Sequence, residues 1–263
     1  MGRRSDGRTV GRSDGLIIGT LAAGIVLVLS VSPTVRPSDI HSEYVKFLSG
    51  RDTITAYLAY PERRDPAPAV IVIHEIFGMS DFVRQTTEQL AKDGFVALAP
   101  DLLSRRGGTP ASPDSARKLI ATLNPDTVTQ DLNATAAYVK TVRAVRADRI
   151  GVIGFCWGGG QSFRYATNNP ELRAFVVCYG PAPNPPDMAR IRARGLGVYA
   201  ENDARIDAGL PDAAAAMKAA GKDYPYAIYP GVGHGFLRSR EKPEVADSAW
   251  RTVIRFFREN LEH

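Results

Sequence analysis

The chain has 263 residues, an apolar content of 44%, 8% aromatic residues and a formal net charge of +5. This size and composition fit one globular domain with a sizeable core, and they exclude a disordered or fibrous chain. Two cysteines are too few for a disulfide-stapled fold, and the short basic run at 190–195 has no interleaved aromatic residues and predicts no nucleic-acid partner.

The first forty residues differ in kind from the rest of the chain. Residues 16–32 read LIIGTLAAGIVLVLSVS and are almost wholly apolar. The arginines before them are Arg3, Arg4, Arg8 and Arg12. Positive charge on this side keeps the N-terminus in the cytoplasm and places everything after the segment outside. Residues 1–40 are therefore predicted to be a signal peptide or an uncleaved membrane anchor. The domain that follows is expected to be periplasmic or secreted, or membrane-anchored with its folded part outside.

Strands and helices are predicted in alternation along the first half of the domain. SEYVKFLSG and DTITAYLAYP flank a turn at Gly50 and predict a β-hairpin. Residues 67–78 predict a buried strand and a glycine turn, and Ser80 is placed to cap a helix that closes at Gly94. FVALAPDL predicts another strand. A helix of about three turns should then precede a longer one that begins at Asp126.

The second half continues the same alternation. The predicted strands are RIGVIGF, AFVVCYG, GLGVYAEND and YPYAIYP, and helices are predicted after the first, third and fourth of them. Apolar strands alternate with amphipathic helices when a mostly parallel sheet is covered on both faces. Residues 41–263 are therefore predicted to form a single α/β domain.

The stretch GVIGFCWGGG at 151–160 places Cys156 between a buried strand and a helix, with glycines on both sides. A strand, G-x-C-x-G and a helix form the pattern of a nucleophile elbow, with sulfur in place of the usual hydroxyl. The glycines remove side chains that would clash in so sharp a turn. The alternative is a small buried cysteine in a glycine-rich turn. The pattern favours Cys156 as a nucleophile.

A thiol at neutral pH needs a base to activate it, and that base needs an acid to orient it. His41 lies in the entry segment, His263 is the last residue, and His74 ends a buried strand, where a structural role is favoured. His234 lies in the glycine-rich loop PGVGHGF after the last predicted strand. Ligand sites of open α/β sheets form on that side, which makes His234 the candidate base.

The orienting acid is expected between the nucleophile and the base in chain order. The segment YAENDARID offers Glu201, Asp203 and Asp207. Asp203 fits a loop position a few residues past the strand end, and Glu201 is the second candidate because it is close enough to the strand to point into the sheet.

No metal site and no disulfide are predicted. HEIFG at 74–78 begins like the zinc-binding H-E-x-x-H helix, but residue 78 is glycine and the segment ends a strand. Cys178 ends the strand AFVVC, and a bridge to it would pull Cys156 out of its turn. A chain of this size does not need one disulfide bond for stability, so both thiols are expected to be free.

Five motifs, HEIFG, APDLLSR, GFCWGGG, END and GHGFLR, follow one another in this order. Together they resemble the dienelactone hydrolases (carboxymethylenebutenolidases) of the α/β-hydrolase superfamily, and the likeness runs from Ser42 to the C-terminal helix. The resemblance implies an α/β-hydrolase fold in which Cys156 is the nucleophile, Asp203 the acid and His234 the base. It also implies that Glu75 is a carboxylate beside the resting thiol, which helps to activate it once substrate arrives.

The same resemblance implies which groups bind the substrate. The backbone N–H groups of Ile76 and Trp157 would form the oxyanion hole, and Arg105 and Arg238 would hold a carboxylate of the substrate. Arg106 adjoins Arg105 and is the alternative to it. A guanidinium suits this task because it holds a carboxylate by a planar two-point contact.

The sequence therefore predicts a cysteine-dependent hydrolase of a small lactone or ester that carries a carboxylate, with no metal or organic cofactor. The alternative enzyme is a broad acyl hydrolase of neutral esters or thioesters. The alternative of another class is a membrane-tethered binding protein without turnover. Its membrane contact would be the uncleaved N-terminal segment, and the sequence leaves the oligomeric state open.

Overall fold

The chain enters the sheet through the predicted β-hairpin. The computed structural model describes residues 40–262, so the predicted targeting segment before residue 40 lies outside the described residues. Strand β1 (Ile40–Ser49) pairs antiparallel with β2 (Asp52–Pro61), and the register brings Ser49 opposite Asp52. None of the described helices combines the length and apolar character that a membrane span requires.

Eight strands form one sheet in the order β1-β2-β4-β3-β5-β6-β7-β8. The other strands are β3 (Ala67–Ile73), β4 (Val96–Pro100), β5 (Val145–Phe155), β6 (Ala174–Cys178), β7 (Arg194–Asn202) and β8 (Tyr226–Gly233). Strand β2 is antiparallel to both of its neighbours, and all remaining neighbours run parallel, which confirms the predicted mostly parallel sheet. Strand β5 begins earlier than predicted because Val145 already pairs with Ala67.

A helix follows most of the strands, and one helix is shorter than predicted. They are α1 (Asp81–Lys92), α2 (Pro113–Ile120), α3 (Pro125–Thr141), α4 (Trp157–Asn168), α5 (Ala204–Asp207), α6 (Leu210–Ala219), α7 (Phe236–Ser239) and α8 (Pro243–Leu261). Helix α2 has 8 residues instead of three full turns. Ser80 stands at the N-cap of α1 as predicted, but its hydroxyl makes no capping hydrogen bond.

Helices cover both faces of the sheet. One core cluster joins the sheet to α1 and α8 through side chains such as Leu90 and Phe257, and the other joins it to α3, α4 and α6 through Leu132, Phe163 and Met217. All 7 residues of β3 are buried, as expected of a central parallel strand with helices on either side. The helices cover the two faces of the sheet and leave the ends of its strands uncovered.

The turn from β5 into α4 is closed by glycines that touch backbone. A Cβ atom on Gly154 would lie 1.8 Å from the carbonyl oxygen of Gly158, and one on Gly158 would lie 2.3 Å from the carbonyl oxygen of His74. Helix α4 therefore begins in direct contact with β5 and with the chain that leaves β3. The sequence pattern at 151–160 reflects this close approach.

We expect Gly154→Ala to lower the free energy of unfolding by at least about 3 kcal/mol, because backbone atoms cannot move aside to relieve the overlap. Gly209→Ala is the matched control, since its Cβ atom would find its nearest neighbour at 3.7 Å. Urea unfolding should place the control within about 1 kcal/mol of the wild type. A Gly154→Ala protein as stable as the control would contradict this account of the turn.

Candidate active site

The residues predicted to act in catalysis follow the carboxyl ends of four parallel strands. Glu75 follows β3, Cys156 follows β5, Asp203 follows β7 and His234 follows β8. These strand ends meet at one edge of the sheet, which is where open α/β sheets bind their ligands. The fold thus gathers residues that lie far apart in sequence.

Cys156 occupies the apex of the turn in a strained backbone conformation, with φ 55° and ψ −118°. Its N–H donates to the carbonyl oxygen of Cys178 at 3.0 Å, and its own carbonyl oxygen accepts from Gly159 at 3.0 Å. These two bonds tie the apex to β6 and to the first turn of α4. The side chain is partly exposed, and both thiols are free. Burial raises the pKa of the Cys178 thiol well above its usual value, so Cys178 stays neutral in the core.

Asp203 and His234 are held together at the same edge. Nδ1 of His234 lies 2.5 Å from Oδ2 of Asp203, whose side chain is only 6% exposed. The pKa of His234 is raised to about 9, first by its hydrogen bond with Cys156 and then, against the effect of burial, by Asp203. The structure therefore gathers Cys156, His234 and Asp203 at this edge of the sheet, with Asp203 paired to the His234 ring.

Glu201, the second candidate for the acid, has another partner. Its Oε2 accepts from the backbone N–H of Gly231 at 2.7 Å and ties β7 to β8. The structure thus places Asp203 against His234 and gives Glu201 a different partner.

His74 has the structural role that the sequence favours. It is fully buried, its Nδ1 lies 2.8 Å from the carbonyl oxygen of Glu75, and its Nε2 lies 3.2 Å from the backbone nitrogen of Leu102. The N–H of Leu102 must donate to Nε2, so Nδ1 carries the proton and donates to Glu75. Burial lowers the pKa of His74 and keeps the ring neutral. Among residues 40–262 no group of three or more His, Cys, Asp or Glu side chains could hold a metal ion.

Ile76 and Trp157, the predicted oxyanion-hole residues, lie under helix α2. Both pack against a small cluster of Leu103, Ala116 and Ile120. Trp157 is the first residue of α4, where a helix offers backbone N–H groups without intrahelical acceptors. Among the described residues, the N–H of Ile76 donates to no backbone acceptor. Both donors are available beside the turn that carries Cys156.

Glu75 is a buried carboxylate that faces Arg238. Nε of Arg238 lies 2.8 Å from Oε2 of Glu75 as an ion pair, although that oxygen accepts no well-aligned hydrogen bond among the described residues. Burial raises the pKa of Glu75, and the charges of Arg238 and His234 partly offset this. The guanidinium also lies 5.0 Å above the ring of Phe77. Arg238 therefore connects a buried acid to the partly open edge of the site.

Tyr179 belongs to the site and was missed from the sequence. It follows β6, is fully buried, and has a backbone φ of 40°, a value that residues other than glycine rarely adopt. Its ring packs edge-on against His234 at 5.1 Å between centroids, and its hydroxyl slightly lowers the pKa of Glu75 although it makes no well-aligned hydrogen bond among the described residues. Its place directly after the strand next to the elbow was the available signal.

Arg105, which the resemblance assigns to the substrate carboxylate, does not join these residues in the structure. Its Nε lies 3.0 Å from Oδ1 of Asp131, its Nη2 donates to the carbonyl oxygen of Ser49 at 3.0 Å, and it also pairs with Asp52. The Asp131 side chain is only 2% exposed, and a carboxylate so buried requires a cationic partner. Arg105 thus fastens α3 to the β1–β2 turn, while Arg106 is exposed.

The eight-stranded sheet, with Cys156, Asp203 and His234 at its carboxyl edge, is the arrangement of a carboxylic ester hydrolase with the α/β-hydrolase fold. The chain belongs to the dienelactone hydrolase family, whose pattern matches residues 54–261.

Known proteins similar to this chain agree with that membership. A relative from Methylorubrum extorquens, named "putative carboxymethylenebutenolidase", is 31% identical and covers 93% of this chain and 91% of its own. A relative of the same name from Saccharolobus solfataricus is 32% identical over 78% of this chain and 93% of its own. The crystal structure of a "putative dienelactone hydrolase" from Klebsiella pneumoniae is 28% identical, with a TM-score of 0.76 over 83% of this chain and 98% of that one.

Proposed function

We propose that the protein hydrolyses small lactones or esters through Cys156, and that it prefers substrates with a carboxylate. The observation that supports the cysteine mechanism is the position of His234, which pairs with Asp203 through Nδ1 and lies close enough to Cys156 for the sulfur to raise the pKa of the ring. A histidine held in this way can give a proton to the leaving group and later take one from water.

The proposed reaction proceeds in two stages. The sulfur of Cys156 attacks the carbonyl carbon, and the N–H groups of Ile76 and Trp157 take up the negative charge that develops on the carbonyl oxygen. The carbon–oxygen bond of the ester then breaks, and His234 gives its proton to the leaving alkoxide. Water next attacks the thioester while His234 accepts a proton from it, and the carboxylic acid leaves as the thiol reforms.

The proposed preference for acidic substrates rests on Arg238. This arginine is paired with Glu75 in the structure, and its side chain is 41% exposed, so a substrate carboxylate can reach it. When that carboxylate takes over the guanidinium, Glu75 loses the partner that stabilises its charge in a buried place. The buried carboxylate of Glu75 is then more stable when it is protonated, and the thiol of Cys156 can supply the proton. Arg238 would thereby couple substrate binding to activation of Cys156.

A specific observation also favours the alternative of a broad acyl hydrolase that takes neutral esters. Glu75 already balances the charge of Arg238, and Arg105 is engaged by Asp131. On this reading neither of these two arginines is left over for a substrate anion, and Arg238 only stabilises Glu75. The two candidates differ in how Arg238 affects charged and neutral substrates.

The test compares hydrolysis of an acidic lactone with that of a neutral aryl ester by the wild type and by Arg238→Ala. A charge-assisted contact is worth about 1.5–3 kcal/mol, so kcat/KM for the acidic lactone should fall about tenfold to a hundredfold. The neutral ester should lose much less. Arg190→Ala is the matched control, because Arg190 also pairs with a carboxylate, Asp187, and lies against the C-terminal end of α4, where it donates to the carbonyl oxygen of Thr167.

Equal losses on both substrates would show that Arg238 does not read a carboxylate, and the broad acyl hydrolase would become the better proposal. A wild type that hydrolyses neither substrate, in an assay that detects spontaneous hydrolysis, would remove both. A loss confined to KM would mean that Arg238 binds the substrate and the transition state equally.

A further inference from the structure

A groove lies between α1, α7 and the start of α8, beside the catalytic residues. Its volume is about 360 Å³. The residues that line it include Phe82, Phe155, Leu237, Arg238 and Trp250. Cys156, Asp203 and His234 do not line it, so the groove adjoins the site where the chemistry is proposed instead of enclosing it.

The groove has a mixed lining, in which apolar side chains stand beside polar ones such as Gln85, Thr86 and Gln89; the apolar ones are Phe82, Phe155, Leu237, Ala246 and Trp250. Phe82 packs edge-on against the buried Phe155, with 5.0 Å between ring centroids. The indole N–H of Trp250 donates to Asp93 at 3.0 Å, which satisfies its polar group and leaves the ring to make apolar contacts. The rim is polar and carries the ion pair of Arg240 with Asp247 at 2.8 Å. Aromatic and aliphatic side chains with polar groups among them are found in pockets that take small molecules.

The groove is connected to the site through two residues. Arg238 lines it and also pairs with Glu75, and Phe155 directly precedes Cys156 in the chain. Phe155 in turn packs against Tyr179 at 6.4 Å between centroids, and Tyr179 packs against His234. A substrate seated near Cys156 that extends past Arg238 would therefore enter this groove.

We propose that the groove binds an apolar chain or ring carried by the ester substrate, and so sets the size of substrate that the enzyme prefers. This inference rests on the proposed ester hydrolysis. The volume lies within the range of ligand pockets, and a cavity of about 150 Å³ already holds a benzene ring. The groove thus has room for an aryl group or a chain of several carbons.

Each methylene group that the groove removes from water should raise kcat/KM about fourfold, since burial of one methylene is favourable by that factor. The wild-type chain should therefore prefer soluble aryl esters of hexanoate over those of acetate, or hexyl over methyl esters, depending on which half of the ester enters. The experiment varies the acyl half and the alcohol half in separate series.

Gln85→Trp tests the groove directly. Gln85 is an exposed residue on α1 that lines the groove, and a tryptophan there would fill it without touching the catalytic residues. The ratio of kcat/KM for long to short esters should fall at least tenfold in one of the two series. Gln130→Trp is the matched control, the same substitution at an exposed position on α3, and should keep the wild-type ratio.

A ratio that Gln85→Trp leaves unchanged in both series would overturn the proposal, as would a wild type with no preference for chain length. Equal changes in Gln85→Trp and Gln130→Trp would overturn it as well, because the effect would not be specific to the groove. Hydrolysis of the short esters separates the two ideas. If the wild type cleaves neither these esters nor the acidic lactone, the proposed function itself fails, whereas cleavage without dependence on length leaves that function standing.

Discussion

Replacing Cys156 with alanine is expected to lower kcat/KM for every ester substrate by at least about 10⁴-fold, because loss of a nucleophile in a catalytic triad removes most of the rate enhancement. The fold should remain intact, since alanine and cysteine both carry a Cβ atom at this turn. Steady-state turnover together with urea unfolding measures both effects.

The other cysteine supplies the control for this experiment. Cys178 is fully buried in β6, so Cys178→Ala should cost some stability while it leaves turnover within about tenfold of the wild type. A Cys156→Ala protein that keeps a tenth of the wild-type rate would remove the proposed nucleophile. Equal losses in the two variants would point to a packing effect.

Asp203→Asn is expected to lower kcat by about 10³-fold to 10⁴-fold, because an amide cannot hold the imidazole of His234 in the tautomer and charge state that the reaction requires. The negative charge of Asp203 is one of the causes that raise the pKa of His234 to about 9. Its removal should shift that pKa downwards, and NMR titration of the His234 ring would record the shift.

The pH profile gives the same prediction in kinetic form. In the wild type the proton that His234 gives to the leaving group is present below about pH 9 and is lost above it. In Asp203→Asn the residual activity should fall at a lower pH. Asp207→Asn, in the same turn, is the control and should keep most of the activity. If Asp207→Asn lost as much as Asp203→Asn, the assignment of the acid would have to change.

Much of the fold could be predicted because its signals are local. The alternating segments around Gly50 define the hairpin, and the fully apolar β3 reads as a central parallel strand. Helices α5 and α7 were not predicted, because 4 residues are too few to show a helical period. Helix α2 is shorter than predicted because Ala121 ends it, a boundary that no glycine or proline marks.

The sequence predicted the turn of the candidate site and the order of its residues, but it did not predict which charged side chains pair with one another. The glycines on either side of Cys156 indicate a turn in which a side chain at their positions would clash with backbone atoms. The position of His234 after the last strand distinguishes it from the other histidines. Arg105 could not be placed, because its partner Asp131 lies on a different element and nothing local to either residue reveals the ion pair. Tyr179 reads as an ordinary core residue, and only the assembled sheet places it against His234.

Because of the backbone angles of Cys156, the residue that would make the protein most stable at position 156 differs from the residue proposed for its activity. A residue other than glycine held at φ 55° and ψ −118° costs on the order of 1–3 kcal/mol, which the rest of the domain must offset. Glycine adopts such a conformation without that cost. Laboratory evolution guided by melting temperature alone would therefore favour glycine at position 156, and it would return a more stable protein that has lost the proposed nucleophile. A selection for durable variants of this hydrolase has to score turnover in every round.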